Sequence, residues 1–345
     1  MLVHPENTAI IILNYNGADD TIACLRSLYS LNEVPFPIIV VDNHSTDTSC
    51  STVLQAWRQW ADPVVTSGVP VLPTTRAVFL QLSVNNGYAA GNNAGIRCAL
   101  SYPSCQAVWV LNNDTEVRSD TLTGLCGCLN AHPEAALTGA TLVFAHARNL
   151  VQCAAGFSIN RYCGTTPAVC GHGALDDVLR LPVAEVARKL NYLCGASMLI
   201  RREVFDRIGL FREDYFLYYE DTEFCLRAQR AGFLLAWAPS SIVYHKEGSS
   251  TGAESAAEGR AFSRPAWVDY LALRNRIYMM RKHYPWALPV VAASYLGVML
   301  NRIRRGQANR IPLIFRAAWD GLRGHMGKPD HLFPALRDVH ENPGH

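Results

Sequence analysis

Four short apolar runs, each ending in an amide or a carboxylate, constrain this chain more than any other feature. Thr8 to Leu13 ends at Asn14 and Pro37 to Val41 ends at Asp42. Val78 to Leu82 ends near Asn85-Asn86-Gly87, and Val108 to Leu111 ends at Asn112-Asn113-Asp114-Thr115. Runs rich in β-branched and aliphatic residues read as buried strands. Between and after them lie stretches with helical character: Asp20 to Leu31, Thr46 to Trp60, Gly91 to Leu100 and Asp120 to Leu129. In the first of these Ile22, Leu25, Leu28 and Tyr29 fall three or four apart, as one helix face requires. Alternating strand and helix implies an α/β, doubly wound, mostly parallel sheet with right-handed crossovers. Ligands of such sheets sit just beyond the carboxyl ends of the strands. If the four strands are neighbours, Asn14, Asp42, Asn86 and Asp114 line one crevice.

From about Leu142 to Leu190 the periodicity weakens. Gly156, Gly164, Gly171, Gly173 and Pro167 make this a long irregular stretch, of the kind that forms an active-site flap. Pattern resumes with Tyr192 to Arg201 as strand, Arg202 to Ile208 as a short helix and Thr222 to Ala231 as helix. Leu234 to Trp237 and Ile242 to Tyr244 then read as strand ending at His245, and the chain after Ser249 is mainly helical. The expected division is a body over residues 1–250 and a helical C-terminal extension over residues 251–345.

Hydrophobic residues make up 49% of the chain and charged residues 17%, which supports a sizeable core and excludes disorder. The eleven Cys are scattered, and the first apolar run gives way to polar Asn14-Tyr15-Asn16 too early for a secretory leader. Free thiols in a reducing, cytoplasmic setting are expected. The formal net charge of +2 hides an asymmetry: residues 260–345 carry 14 Lys and Arg against 5 Asp and Glu, while residues 1–259 carry 17 against 24. A basic segment points to nucleic acid or to an anionic membrane surface. The uncharged run Pro285 to Leu300 favours the membrane and no nucleic acid. With two prolines it is short for a crossing helix, so an interfacial helix or a helix packed on the body is expected.

Two strand-end carboxylates carry candidate chemistry. Asp42 suits hydrogen bonding to a base imide or a ribose hydroxyl, because a carboxylate only accepts. The segment Asp42-Asn43-His44-Ser45-Thr46-Asp47 also reads as a turn and helix cap. Asp114 is the candidate ligand for a hard divalent cation, which prefers oxygen and binds substrate phosphates through few protein carboxylates. Asn112 alone is a thin complement, and His245, at another strand end, is the candidate further ligand. The second dense site is Phe216-Leu217-Tyr218-Tyr219-Glu220-Asp221-Thr222-Glu223. Its adjacent carboxylates cap a helix on one reading. On the other they act as a base, made stronger by desolvation beside aromatic rings. No P-loop, dinucleotide fingerprint or Gly-x-Ser-x-Gly occurs. Cys153, Cys163, Cys170 and His172 match no common zinc spacing.

Taken in order, these pieces resemble the family 2 glycosyltransferases, especially their bacterial rhamnosyltransferase-like branch. The segments are Ile12 to Gly17, Val40 to Asp47, Asn86 to Ile96 and Leu111 to Thr115, then Gly195 to Met198, Arg202 to Phe205, Phe216 to Asp221 and Tyr244-His245. Arg274-Asn275-Arg276 and Asp320 to Gly324 extend the likeness into the C-terminal region. The resemblance implies a GT-A-type fold with residues 1–250 as the catalytic domain. It also implies a nucleotide-diphosphate sugar donor, a divalent metal (Mg2+ or Mn2+) and inversion at the anomeric carbon. It assigns Asp221 as base with Glu220 positioning it or the acceptor, and Asp114 and His245 as metal ligands. Asn14, Asn16, Asp42, Ser45, Asn86, Gly87, Asn92, Asn112 and Asn113 would form the donor pocket. Asn112 stands where many relatives carry Asp. A rhamnose-type deoxysugar, a glycan or lipid-linked acceptor in surface polysaccharide synthesis, and peripheral attachment to the cytoplasmic face of the membrane are the corresponding expectations. A nucleotidyltransferase is disfavoured because Asn14 to Asp20 lacks Lys and Arg. A non-catalytic nucleotide-sugar-binding protein is disfavoured by the intact carboxylates.

Overall fold

The computed structural model describes residues 1–33, 37–68, 74–246 and 265–336. Strand β1 (Thr8–Asn14), helix α1 (Ala18–Leu28), β2 (Ile38–Asp42), α2 (Ser49–Trp57), β3 (Val64–Thr66), β4 (Ala77–Gln81), α3 (Gly87–Leu100) and β5 (Ala107–Asn112) form the first half. Then come β6 (Thr115–Val117), α4 (Thr121–Ala131), β7 (Ala135–Phe144), β8 (Val151–Ala154), β9 (Gly156–Phe157), α5 (Leu175–Leu179) and α6 (Val183–Lys189). β10 (Tyr192–Leu193), β11 (Ser197–Arg201), α7 (Arg202–Ile208), α8 (Glu220–Arg230) and β12 (Leu234–His245) complete the body. Three helices follow: α9 (Ala266–His283), α10 (Leu288–Arg304) and α11 (Ile311–Arg323).

The main sheet has the order β3-β4-β2-β1-β5-β11-β7-β12-β6, with β8 beside β7. β3, β4, β2, β1 and β5 are parallel, as are β7 and β12; β11 runs antiparallel to both its neighbours. The four strands read from the sequence are therefore neighbours, and Asn14 pairs in register with Asp42. Both faces of the sheet are covered. Ile10, Ile12, Val40, Phe79 and Trp109 pack with Leu25, Val53, Trp57 and Leu125 on one side. Ile11, Val41, Leu80 and Val110 pack with Ile96, Ala99, Phe224 and Met279 on the other. Double burial explains why these strands read as continuous apolar runs rather than alternating ones. Helix α3 lies close on the sheet because Gly91 and Gly95 leave room: a Cβ would stand 2.4 Å from Leu13 Cδ1 and 2.6 Å from Ile11 Cγ2.

The structure departs from the sequence reading in definite places. α1 begins at Ala18, two residues earlier than periodicity suggests, and α3 at Gly87, a turn earlier, since first turns carry polar or small residues. β3 escaped notice because it is a short edge strand with Val64 and Val65 exposed. β7 is the larger omission. Its sequence Ala-Ala-Leu-Thr-Gly-Ala-Thr-Leu-Val-Phe is small-residue-rich and wholly buried, so it shows no alternation. Gly139 there lies against Ala155, which a Cβ would approach to 2.8 Å. The stretch from Leu142 to Leu190 is not structureless: it completes β7 and contains β8, β9, α5 and α6. β12 is one strand interrupted by a register shift between Ala238 and Ile242, where Pro239 sits.

The expected boundary at residue 250 falls outside the described residues. Beyond it, α9 buries Ile277, Tyr278, Met279 and Met280 in the core shared with the sheet. α11 closes on α9 through Ile314, Ala317 and Gly321, the last 2.5 Å from the Arg274 carbonyl as judged by an added Cβ. Asp269 on α9 pairs with Arg302 at 2.8 Å and with Arg310. Buried Asp320 accepts from Tyr270 Oη at 2.7 Å and from Arg316 Nε at 2.6 Å.

His283 ends α9 beside Arg230, which donates to its carbonyl at 2.8 Å. Burial, then the Arg230 and Arg227 charges, push the imidazole down from 6.5 to about 4. A lowered folded-state value means that stability is fully present above the unfolded value and is lost as pH falls from about 6.5 towards 4. Thermal melts at about pH 7 and about pH 5, on either side of the ordinary His value, test this. The native chain is expected to lose more melting temperature than His283→Gln, and equal losses would remove His283 from acid sensitivity.

Candidate active site

The carboxyl end of the parallel strands carries a rigid carboxylate cradle. Fully buried Asn14 donates through Nδ2 to Asp42 Oδ1 at 2.8 Å and accepts from Thr21 Oγ1 at 2.8 Å. Ser45 donates to the same carboxylate twice, from Oγ to Oδ1 at 2.6 Å and from its backbone N–H to Oδ2 at 3.1 Å. Asn16, with a φ of 51°, donates its backbone N–H to Ser45 Oγ at 3.0 Å, and its side chain bonds Thr46 in both directions. Asn14, Asn16 and Ser45 thus hold Asp42 in place, leaving lone pairs of its Oδ2 for a donor from outside.

At the start of α3, Asn86 is the exposed N-cap residue. Gly87 has a φ of 92° and lies against the Phe216 carbonyl, which an added Cβ would meet at 2.2 Å. Only glycine allows that approach, which lets the Tyr88 N–H donate to the same carbonyl at 2.7 Å. Asn92 is turned inward: it is 1% exposed and donates to the Tyr88 carbonyl at 3.0 Å. Asn113 is also inward, donating to Thr21 Oγ1 at 3.1 Å. Asn112 Oδ1 accepts from Tyr88 Oη at 2.9 Å, and the same phenol lies 2.9 Å from the Gly195 carbonyl.

Asp114 and His245 meet. Asp114 Oδ1 is buried, makes no hydrogen bond and faces His245 Nε2 at 3.2 Å. β12 and β6 bring them together, with His245 registered opposite Thr115. His245 Nδ1 lies 2.8 Å from Gln152 Oε1. A carbonyl there selects the tautomer with its proton on Nδ1, which turns the Nε2 lone pair towards Asp114. Two acceptors facing each other need a proton or a cation between them. Burial by itself would raise Asp114, but with a proton on Nε2 the His245 imidazole becomes a cation that holds Asp114 below the ordinary carboxylate value. The donor set, one hard oxygen and one oriented imidazole, fits a divalent cation that completes its shell with diphosphate oxygens. Among the described residues no three His, Cys, Asp or Glu side chains gather as a metal site.

The third part is the turn before α8. Phe216, Tyr218 and Tyr219 have φ values of 66°, 71° and 72°, unusual for aromatic residues. Asn275 on α9 holds this backbone. Its Nδ2 lies 2.9 Å from the Tyr215 carbonyl, 2.8 Å from that of Leu217 and 2.9 Å from that of Tyr218. The strained turn delivers Glu220 and Asp221 at the N-terminus of α8. Asp221 Oδ2 accepts the Gly195 N–H at 3.1 Å, and Oδ1 accepts the Thr222 N–H at 2.6 Å. Burial raises Asp221 above the usual carboxylate range. Glu220 is 5% exposed with Oε2 unpaired, and burial, then the charge of Asp221, push it well above the ordinary carboxylate value.

Tyr88 and Cys194 show how close the parts stand. Burial raises the Tyr88 phenol, and Glu220, Asp221 and Asp114 add to the effect. Cys194 feels both His245 and Asp221. The carboxylate pair is linked to Asn112, two residues before Asp114, through Gly195 and Tyr88. A second chain of bonds runs from Asp42 through Asn14 and Thr21 to Asn113, the neighbour of Asp114. Sequence reasoning missed Thr21, Tyr88, Gln152, Gly195 and Asn275 as supporting groups. Gly195 and Asn275 stood inside noticed motifs, whereas nothing local marked Thr21 or Gln152.

Comparison with known proteins bears on the family and the fold. Residues 5–263 match the family described as Glycosyltransferase like family 2. A low-salt glycan biosynthesis hexosyltransferase of Haloferax volcanii is 25% identical over 336 residues, covering 95% of this chain and 94% of the relative. An N-acetylglucosaminyl-diphospho-decaprenol L-rhamnosyltransferase of Mycobacterium tuberculosis is 25% identical over 319 residues, covering 88% and 97%. A mannosyltransferase of Pyrobaculum calidifontis, solved with GDP-Man and Mn2+, superposes with a TM-score of 0.51 at 16% identity, covering 92% of this chain and 87% of that one. TarS of S. aureus in complex with UDP-GlcNAc gives 0.53 at 15%, covering 92% and 81%. These likenesses show the fold, the GT-A type expected from the motifs.

Removing the Asn275 amide leaves buried carbonyls without a donor, at a cost of about 1–3 kcal/mol. Asn275→Ala is expected to lower stability by that amount. Asn275→Asp is expected to lower it more at neutral pH, because an acceptor-only group then faces three acceptors. Urea denaturation measures both, and two unchanged midpoints would show that the side chain does not hold the turn.

Proposed function

The chain belongs to the glycosyltransferase-like family 2, and on that premise we propose an inverting, metal-assisted sugar transfer from a nucleotide-diphosphate donor to a hydroxyl of a glycan or lipid-linked acceptor. The donor sugar in this reading is a hexose or deoxyhexose, rhamnose being the favoured class. Its support is that hexosyl- and rhamnosyltransferase relatives span nearly the whole chain. Eleven free cysteines suit a reducing compartment, so the reaction is assigned to the cytoplasmic side, in the synthesis of a surface glycan.

The observation that carries the reading is the meeting of three unlike groups at one end of the sheet: the Asp42 cradle, the Asp114–His245 pair and the buried Glu220–Asp221 pair. Asp42 Oδ2 is the acceptor for the base or ribose of the donor. Asp114 and His245 would hold Mg2+ or Mn2+. When bound, that cation supplies Lewis-acid neutralisation of the diphosphate leaving group. Asp221 takes the proton of the acceptor hydroxyl through Oδ2, whose second lone pair remains open beside the Gly195 N–H. The acceptor oxygen forms its bond to the anomeric carbon as the bond to the diphosphate breaks on the opposite face, which inverts the centre. Two adjacent buried carboxyls do not both ionise readily. Because Asp221 accepts the Gly195 and Thr222 N–H groups, which favour its ionised form, while Glu220 Oε2 has no partner, the first proton bound by the pair resides on Glu220 and leaves Asp221 ionised as base. Burial thus strengthens Asp221 without silencing it.

Asp221→Asn keeps an acceptor for the Thr222 N–H but cannot take a proton. Product formation from a nucleotide sugar is expected to fall by about 10²–10⁴-fold. Donor binding in the same variant is expected to be unchanged. Near-normal turnover would remove Asp221 from the base role. For Asp114→Ala the readout is calorimetric titration of nucleoside diphosphate with and without Mn2+. The native chain should gain affinity from the metal and the variant should not; an equal gain in both would reassign the metal ligand.

A further inference from the structure

We propose that the outward faces of α10 and α11 form a docking surface for an anionic lipid bilayer, on which the chain lies without crossing it. Eight of the nineteen exposed large apolar residues among the described residues fall between Trp286 and Leu322. On α10, Leu296, Leu300 and Ile303 are 61%, 56% and 51% exposed, at the four- and three-residue spacings of one helix face, and Val290 nearer the start of the helix is 47% exposed. On α11, Phe315 and Trp319 are 60% and 53% exposed, one turn apart. Scattered apolar residues need no explanation, but stripes on two helices packed together do.

Charge selects the occupant. The 50 residues from Tyr270 to Trp319 contain no Asp or Glu and nine Lys or Arg. Asp269 and Asp320, which flank the segment, neutralise Arg302, Arg310 and Arg316. Arg304 and Arg305, at the end of the α10 stripe, are exposed and form no ion pair among the described residues. Arg323 stacks over Trp319 at 4.5 Å, a pairing of amphipathic ring and cation that suits a headgroup layer. A second copy of this chain would set like charges against each other across a two-fold axis, because such an interface pairs the same patch with itself. Anionic headgroups supply the missing carboxylates or phosphates.

Packing keeps α10 on the surface. Pro285–Arg304 is long and apolar enough to cross a membrane by composition, with 17% of its most apolar window buried. Yet its inner face is built into the protein. Val291 and Tyr295 are buried, Tyr295 Oη donates to the Leu273 carbonyl at 2.6 Å, and Arg276 Nη2 donates to Ser294 Oγ at 2.8 Å. Insertion would break all of these contacts. The same contacts lead inward to the chemistry. Arg276 Nε donates to the Cys163 carbonyl at 2.8 Å, and Tyr162 meets Trp286 edge-on at 5.3 Å. Tyr295 is bonded to α9 at Leu273, two residues before Asn275, whose amide holds the turn before Glu220. The docking face and the catalytic turn are thus joined through α9, and a lipid-anchored acceptor would reach Asp221 from the membrane plane.

Flotation of the full chain with phosphatidylcholine vesicles, alone or mixed with phosphatidylglycerol, tests the proposal independently of the transfer chemistry. Binding to the mixed vesicles and not to phosphatidylcholine alone is expected. Leu296→Glu with Leu300→Glu should lower the bound fraction by about tenfold or more, and Arg304→Glu with Arg305→Glu should abolish the preference for anionic lipid. Melting temperature and donor binding in solution are expected to be unchanged in both. Four results overturn the proposal: no flotation, equal flotation with neutral lipid, resistance to alkaline carbonate extraction, which would mean a crossing helix, or a native dimer that the Leu296→Glu pair dissociates. Loss of sugar transfer with docking intact would instead count against the catalytic reading alone.

Discussion

Covering both faces of a parallel sheet leaves its polar residues one place to act, and the site follows from that constraint. Within β1, β2, β4 and β5 almost every side chain is buried against α1, α2 and α4 on one side or α3, α8 and α9 on the other. Amides and carboxylates in the middle of such strands would be buried without partners, which costs several kcal/mol each. They collect instead at the carboxyl ends, where helices begin and backbone donors point outward. The register of β1 with β2 then places Asn14 beside Asp42, and that of β1 with β5 places Asn112 one step away from Asn14. A polar crevice is the geometric residue of a well-packed core.

The remaining machinery comes from far along the chain. β12 returns His245 to Asp114 by pairing with β6, and the N-terminus of α8 carries Glu220 and Asp221. That second delivery is strained: three aromatic residues in succession or near it take left-handed backbone conformations, which cost of order 1–3 kcal/mol each. The strain is tolerated because α9 over-determines the turn, with one amide serving three carbonyls and Arg274 Nη2 reaching the Tyr215 carbonyl at 3.3 Å. Helix α9 therefore supports the candidate site directly. The inner face of α9 holds the turn before Glu220, and the outer faces of α10 and α11 carry exposed apolar and cationic residues.

The parallel strands were legible because doubly buried strands are uninterrupted apolar runs, and Arg202 to Ile208 was legible to the residue as α7. β7 was not, since Ala, Gly and Thr occupy it where Ala155 presses close, and local propensity says little about a strand whose side chains are limited by tertiary crowding. Among site residues, Asp42, Asp114, Asp221 and His245 stood out as strand-end or helix-start polar groups. The roles of Asn14, Asn92 and Asn113 could not be read locally. An amide at a strand end looks the same whether it reaches a ligand or, as here, ties Asp42, the Tyr88 carbonyl and Thr21 in place.

By itself the sequence determined the class of fold, the family and the chemical types at the site, because these depend on hydrophobic runs, their polar ends and motifs that each occupy a few adjacent residues. Tertiary structure alone decided which of those groups face one another. The 3.2 Å meeting of Asp114 with His245, the hold of Asn275 on the turn before Glu220, and the division of α10 into a buried and an exposed face all join residues distant in the chain. Such meetings depend on strand order, register and helix docking, which are properties of the whole packed chain and of no single segment.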